Sequence, residues 1–287
     1  MPTLPGDFDW KQYLYLNQDL TQNCSYEEAI HHYLNYGCYE NRKYKFDSDH
    51  DNHHNNYDNH HNNYDNHHNN YDNNGINILV VVVSCNKHWH LWEGIKNRTN
   101  NDLIIITGSN KNENWYDKDG RIYYLKCSDL YDGLPEKIIV MIEQVLHNPE
   151  FNHITHIIKI DDHDNYFNDE TIKNLYSYHE LKQYNYLGQK KNCWNNHTTG
   201  NYHFGKVPEN SYWYDRVADI SNVTYFDGGC SYILSRKAME IINRNYNSSN
   251  INKLRKEEIY EDLMIGKILQ NNNIEPYQIN YGIIGDK

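Results

Sequence analysis

Residues 153–167 read HITHIIKIDDHDNYF, and the character of the chain changes in the middle of them. Ile154, Thr155, Ile157, Ile158 and Ile160 give the first half the β-branched, apolar composition of a buried strand. Three acids follow within four residues, Asp161, Asp162 and Asp164, with His163 between them. Carboxylates this close repel one another unless a proton or a cation intervenes. The C-terminal end of a strand is also where open α/β sheets hold their ligands. Asp and Asn are ordinary turn residues as well, so the surrounding segments decide between a ligand site and a plain turn.

Working outward, the same strand-and-helix rhythm extends in both directions. Upstream, residues 76–84 (INILVVVVS) read as a first buried strand and residues 89–96 as a helix. Residues 102–107 (DLIIIT) form a second strand closed by Gly108, and residues 121–125 a third. Residues 134–146 are amphipathic, with Ile138, Ile139, Met141, Ile142, Val145 and Leu146 on the apolar side of a helix. Downstream come a helix at 169–180 and a strand at 184–188. A short strand at 230–234 follows, then a helix capped by Ser235 and running through Arg244. Glu261 and Asp262 lie in a helix that buries Leu263, Ile265, Ile268 and Leu269, and a last strand covers 277–284. Strands alternating with helices predict an α/β fold, a Rossmann-like mixed sheet flanked by helices.

The pattern breaks between Gln189 and Asp219, a long polar stretch carrying Trp194, His197, Tyr202, His203, Phe204, Tyr212, Trp213 and Tyr214. A loop of that length in a compact domain is functional or disordered. Exposed aromatic rings beside polar groups suit stacking on sugars.

Three regions follow from composition. Residues 1–46 form a small helical N-terminal module, with Ser25 as N-cap and Glu28 completing a capping box for a helix over 26–36 that Gly37 closes. Its core is too small for much independent stability, and a docking or spacer role to another protein is expected. Residues 47–74 are low in complexity: HHNNYDN occurs three times without variation, at 53–59, 60–66 and 67–73. Without apolar positions such a tract predicts a disordered linker. Seven of the 18 histidines fall in it, which allows weak metal binding, but unvaried tandem copies read as repeat expansion. Residues 75–287 are the main domain.

Net charge is 27 − 39 = −12, so no nucleic-acid partner is expected. A nucleotide that brings its own divalent cation remains compatible. The six cysteines form no CxxC pair, which argues against a structural zinc site and for scattered reduced thiols. The longest apolar run, residues 78–83, is too short for a transmembrane segment, and the N-terminus has no signal-peptide pattern. A cytoplasmic protein is expected.

Four stretches together resemble the β-1,3-glycosyltransferase family typified by β-1,3-galactosyltransferases and Fringe. Residues 129–137 (DLYDGLPEK) are similar to its D-x-Y-x-N-L-x-x-K, with Gly133 in place of Asn. Residues 159–163 (KIDDH) stand in the place of K-x-D-D-D, and 225–235 (YFDGGCSYILS) are similar to Y-P-x-Y-x-x-G-x-x-Y-V-L-S. Residues 261–266 (EDLMIG) are similar to E-D-V-x-x-G. The resemblance implies a GT-A-like fold, a UDP-sugar as nucleotide-sugar donor, Mn²⁺ or another divalent cation, and an inverting transfer to a hydroxyl of a glycan or glycoprotein acceptor.

It also implies site roles. Asp262 would be the catalytic base. Asp129, Lys137, Asp161 and Asp162 would bind the nucleotide, and Asp162, His163 and Asp164 would hold the metal. Gly228, Gly229, Trp213 and Glu261 are the candidate substrate contacts. His163 replaces the family's third acid, so either it or Asp164 completes the metal set, and no histidine follows His203 to serve as a C-terminal ligand. These departures keep open a catalytically degenerate, sugar-binding or scaffold protein. A metal-dependent nucleotidyltransferase is a further alternative, opposed by the GG…YILS and EDLMIG stretches. The N-terminal pattern FDW…YL..N.DL resembles a module attached to bacterial and giant-virus glycosyltransferases, which suggests a viral source and the host cytoplasm.

Overall fold

A computed structural model describes residues 4–5, 8, 10–17, 20, 26–40, 42–44, 75–109, 112–162, 165–193, 199–220 and 222–285. The expected linker at 47–74 lies outside the described residues. The chain divides into two units, residues 1–71 and 72–287.

In the first unit, α1 (Trp10–Leu16) and α2 (Tyr26–His32) surround buried Tyr13, Ala29 and Tyr33. The second helix continues as a π-helical turn, Tyr33–Gly37, where an α-helical end was expected. Gly37 does not act through a left-handed cap. A side chain there would run into the Tyr13 hydroxyl, so the glycine serves close packing. The expected capping residue Ser25 lies outside the described residues.

The second unit opens with β1 (Ile78–Val83), a 3₁₀ turn Asn86–Leu91 and α3 (Trp92–Lys96). Next come β2 (Leu103–Ser109), β3 (Trp115–Asp117), β4 (Ile122–Lys126) and α4 (Leu134–His147). The acidic stretch contributes β5 (His156–Asp161) and β6 (Asn165–Tyr166), followed by α5 (Asp169–Leu175) and α6 (Glu180–Gln183). The remaining strands are β7 (Tyr186–Gly188), β8 (Lys191–Cys193), β9 (Thr199–Gly200), β10 (Ala218–Asp219), β11 (Thr224–Phe226) and β12 (Tyr232–Ser235). Helices α7 (Arg236–Asn245), α8 (Ile251–Glu257) and α9 (Glu261–Asn271) precede β13 (Tyr277–Gln278) and β14 (Ile284–Gly285).

Eight strands form the main sheet in the order β13-β7-β12-β5-β1-β2-β4-β3. The centre is parallel, β5 to β1 to β2 to β4, while β12 runs antiparallel between β5 and β7. This is the mixed, helix-flanked sheet expected of a GT-A-like fold.

Strand alternation divides the core. Along β1, Leu79, Val81 and Val83 face a layer built with α4, α7, α8 and α9. Ile78, Val80 and Val82 face the opposite layer, with Trp92, Ile95, Ile172, Leu175 and Leu181. The same alternation in β5 sends Ile157 to the first layer and Ile158 and Ile160 to the second.

Several expected elements are shorter or divided. The helix expected at 89–96 is α-helical only from Trp92 to Lys96, the residues before it being a 3₁₀ turn. The helix expected at 169–180 ends at Leu175, where the Ser177 hydroxyl donates to the Asn174 carbonyl at 2.6 Å and competes with helix continuation. Ser235 caps α7 as expected, accepting from the Ala238 N–H at 3.2 Å. The strand expected at 277–284 stops at Gln278, and beyond Gly282, whose φ is 77°, β14 pairs with β6 instead.

Helix α9 lies tight against β11, and Gly266 is the point of approach. A Cβ at that position would sit 2.5 Å from Tyr225 Cβ. Gly266→Ala is therefore expected to destabilise the fold, since overpacking costs about 1–3 kcal/mol against a propensity gain of about 1. Gly94→Ala on α3, where nothing lies within 4 Å, should instead stabilise it. Urea midpoints moving in opposite directions for the two variants check this packing.

Candidate functional site

The ends of β1, β2 and β5 and the start of α9 bring most of the candidate residues together. Lys159 faces the α4/α9 layer by alternation, in the middle of a strand whose other residues there are apolar. A buried ammonium needs partners. Lys159 Nζ donates to Asp161 Oδ1 at 2.6 Å and to the Gly228 carbonyl at 2.9 Å, and lies 3.0 Å from Glu261 Oε1. Burial alone would lower its pKa, but the Asp161 and Glu261 carboxylates outweigh that and hold the ammonium above the ordinary lysine range. Glu261 also accepts from the Tyr232 hydroxyl at 2.8 Å.

Asp262 lies on the first turn of α9, beside this cluster. Its carboxylate accepts from the Gly228 N–H at 3.1 Å and the Leu263 N–H at 2.7 Å. Burial first and the neighbouring Glu261 charge second push its carboxyl up to about 7. The two backbone N–H groups and Lys159 pull the other way without offsetting it. Gly228 is where its own turn, β5 and α9 meet: its carbonyl faces Lys159, its N–H faces Asp262, and a side chain there would collide with Glu261.

Asp162 points to the opposite layer from Asp161. It is buried and lies 2.5 Å from Ser84 Oγ and 2.7 Å from His88 Nδ1. Asp129 and Lys137 form a third knot. Asp129 accepts from the N–H groups of Asn86 and Gly108, each at 2.7 Å, and from Lys137 Nζ at 2.8 Å. Lys137 also donates to the Ser84 carbonyl at 2.6 Å. This pair ties together the loops leaving β1, β2 and β4, and Lys137 is buried.

The other candidates fall differently. Glu261 is buried and held by Lys159 and Tyr232, which makes it part of the scaffold under Asp262. Trp213, expected to contact substrate, is a correction: its ring is buried among Val207, Val223, Ile259 and Leu263, and its N–H donates to the Arg255 carbonyl at 2.9 Å. It fills a satellite core, so it has no open face for a sugar. Among the described residues of that loop the exposed rings are Tyr202, Phe204, Tyr212 and Tyr214. Lys206 sits over Tyr202 with its Nζ 3.1 Å from the ring centroid, and 5.4 Å from that of Tyr131. His203 joins this loop to α9, with Nδ1 2.7 Å from the Tyr260 hydroxyl. Gly229 donates its N–H to Asp227 at 3.1 Å within the turn Gly228–Cys230.

His163, Asp164 and Trp194 lie outside the described residues. Among the described residues no three His, Cys, Asp or Glu side chains gather as a metal-binding group, and no helix is long and apolar enough to cross a membrane. Burial pushes the Cys127 thiol up to about 12, which makes it a poor nucleophile. A cavity of about 390 Å³ opens among Asn101, Asp102, Arg121, Glu150 and His153, at the far ends of the strands from the acidic cluster. It contains none of the candidate residues.

Sequence reasoning missed Ser84, His88, Trp92 and Tyr232. Lys159 was visible as a charge inside an apolar strand, a pattern that calls for a buried acid from elsewhere in the chain.

A family model described as Galactosyltransferase matches residues 113–280, more than half of the chain. The matched span includes Asp129, Lys137, Asp161, Asp162, Gly228 and Asp262. No curated protein matches the chain.

Removing Lys159 strands Glu261 in the core. Lys159→Met is expected to lose about 3–5 kcal/mol of stability, the cost of breaking a buried ion pair from one side. Adding Glu261→Gln should return part of that loss, and a double-mutant cycle by urea unfolding measures the coupling.

Proposed function

The chain belongs to the galactosyltransferase family, and from that premise we propose that it moves a sugar from a nucleotide-sugar donor, a UDP-sugar, to a hydroxyl of a glycan or glycoprotein. The observation that carries this reading is Asp262: a carboxylate at a helix start, oriented by two backbone N–H groups, with its pKa pushed up to about 7. General bases work best when their pKa lies near the working pH.

In the proposed step the ionised Asp262 takes the proton of the acceptor hydroxyl. The acceptor oxygen forms its bond to the anomeric carbon as the bond to the diphosphate breaks. The leaving nucleoside diphosphate keeps the electron pair. One displacement of this kind inverts the anomeric centre.

The donor is assigned to the ends of β1, β2 and β5, where Asp129 and Lys137 set the loops and Asp162 supplies a hard oxygen donor. That donor chemistry fits Mn²⁺ or a similar divalent cation. Asp162, with His163 or Asp164, would hold it, Asp161 would contact the nucleotide, and the cation would offset the charge of the diphosphate. On the acceptor side, Gly228 and Gly229 allow close backbone approach, and the exposed rings of Tyr202 and Phe204 lie on the loop joined to α9. The N-terminal unit is assigned a docking role. A sugar-binding protein that has lost transfer is the second reading, favoured by His163 in the place of the third acid.

Two measurements test the proposal. UDP release across a panel of UDP-sugars, with Mn²⁺ and with EDTA, should show metal-dependent turnover of one donor. Silence across the panel, with sugar binding retained, selects the second reading. Asp262→Asn should reduce transfer by about a thousandfold or more while sparing UDP binding. The sign of the pH dependence follows from the base being active when deprotonated. In the wild type kcat/KM should rise with pH and reach half its plateau at about 7. A profile flat between pH 5 and pH 8 removes Asp262 as the base.

A further inference from the structure

On the face of β5 opposite Lys159, four side chains form a hydrogen-bonded relay that the proposed step does not use. Trp92 Nε1 lies 2.7 Å from Ser84 Oγ. Ser84 Oγ lies 2.5 Å from Asp162 Oδ2, and His88 Nδ1 lies 2.7 Å from the same oxygen. The chemistry of the groups sets the directions. An indole N–H only donates, so Ser84 accepts from Trp92 and turns its own hydrogen to Asp162. A carboxylate only accepts, so His88 carries a hydrogen on Nδ1. One oxygen of Asp162 therefore receives two hydrogen bonds, from two residues of the segment that follows β1.

Anchoring the turn Asn86–Leu91 does not require this arrangement. Asn86 already secures it, donating its N–H to Asp129 and its side-chain amide to the Gly108 carbonyl at 3.0 Å, and Trp92 is buried behind it. Trp92, Ser84 and Asp162 are all at most 5 % exposed, whereas the His88 side chain is 36 % exposed. His88 is thus the member of the relay at the solvent edge of the acidic strand end. It also lies outside the matched span of 113–280.

We infer that His88 is a positioning residue of the donor site, fixing the Asp162 carboxylate for the nucleotide diphosphate and its cation, and that the turn Asn86–Leu91 is part of that site. The inference rests on the reading that the Asp161–Asp162 strand end binds the donor.

The test is calorimetric binding of UDP in the presence of Mn²⁺ by the full chain, with thermal unfolding measured in parallel. His88→Ala should weaken binding about 10–100-fold, the usual cost of losing a group that orients a ligand-holding carboxylate. Its unfolding temperature should move little, because the side chain sits at the solvent edge and Asp162 keeps its hydrogen bond from Ser84. His88→Asn places an amide N–H near the former Nδ1 position and should restore the affinity to within about threefold. With an active donor, His88→Ala should raise the donor KM and leave kcat nearly unchanged.

Asp162→Asn separates the two levels of the argument. If it weakens UDP binding while His88→Ala does not, the inference fails and the donor-site reading stands. If neither variant matters, or the wild type binds no UDP, both fail. A fall in unfolding temperature of His88→Ala with unchanged affinity marks a purely structural residue and overturns the inference, as does equal weakening by Ala and Asn.

Discussion

The interaction on which the rest depends is the buried ammonium of Lys159. A lysine in the central strand of a sheet has no access to water, and its charge is tolerable only because Asp161, Glu261 and the Gly228 carbonyl converge on it. Those three partners come from the strand end, from α9 and from the turn before β12. Meeting the needs of one charge therefore fixes the relative positions of the three segments that carry the proposed chemistry. Glu261, held there, places its negative charge beside Asp262 and helps to raise the pKa of that carboxyl. The ion-paired carboxylate of Glu261 and the proposed base Asp262 are thus consecutive in sequence but opposite in role.

The pair Asp161-Asp162 shows the same division. Strand alternation turns one acid toward α9 and the other toward the segment after β1, so each has its own hydrogen-bond donors. The repulsion expected of two adjacent carboxylates is relieved by separation to opposite faces of the sheet. Asp129 and Lys137 complete the frame by bridging the exits of three strands.

Much of this was legible in the sequence. The apolar runs at 78–83, 103–106 and 156–160 are long and β-branched, and the helix at 134–147 has a clear apolar face, so their types followed from pattern alone. The mixed, helix-flanked sheet followed from their alternation. What was not legible depends on partners distant in sequence. The end of the last main-sheet strand at Gln278 goes with β14 pairing instead with β6, more than a hundred residues earlier. The small strands β8 to β11 lie in a segment with no periodicity. Trp213 could be placed among aromatic loop residues but not assigned a side, because burial is a property of the assembled satellite core. In the site, Asp262 and the acidic strand end were readable as motif residues. Ser84 and His88 were not, since a serine and a histidine after a strand carry no signal until Asp162 is brought against them.

The central claim is that the fold holds the Asp262 carboxyl near neutrality. The most direct measurement is a carboxyl ¹³C NMR titration of the protein labelled at aspartate, with the Asp262→Asn variant used to assign the signal. The account predicts one resonance with a midpoint at about 7 that disappears in the variant. If the resonance lost in the variant titrates in the ordinary carboxylate range near 4, Asp262 is not held as a base by burial and Glu261, and the account is contradicted.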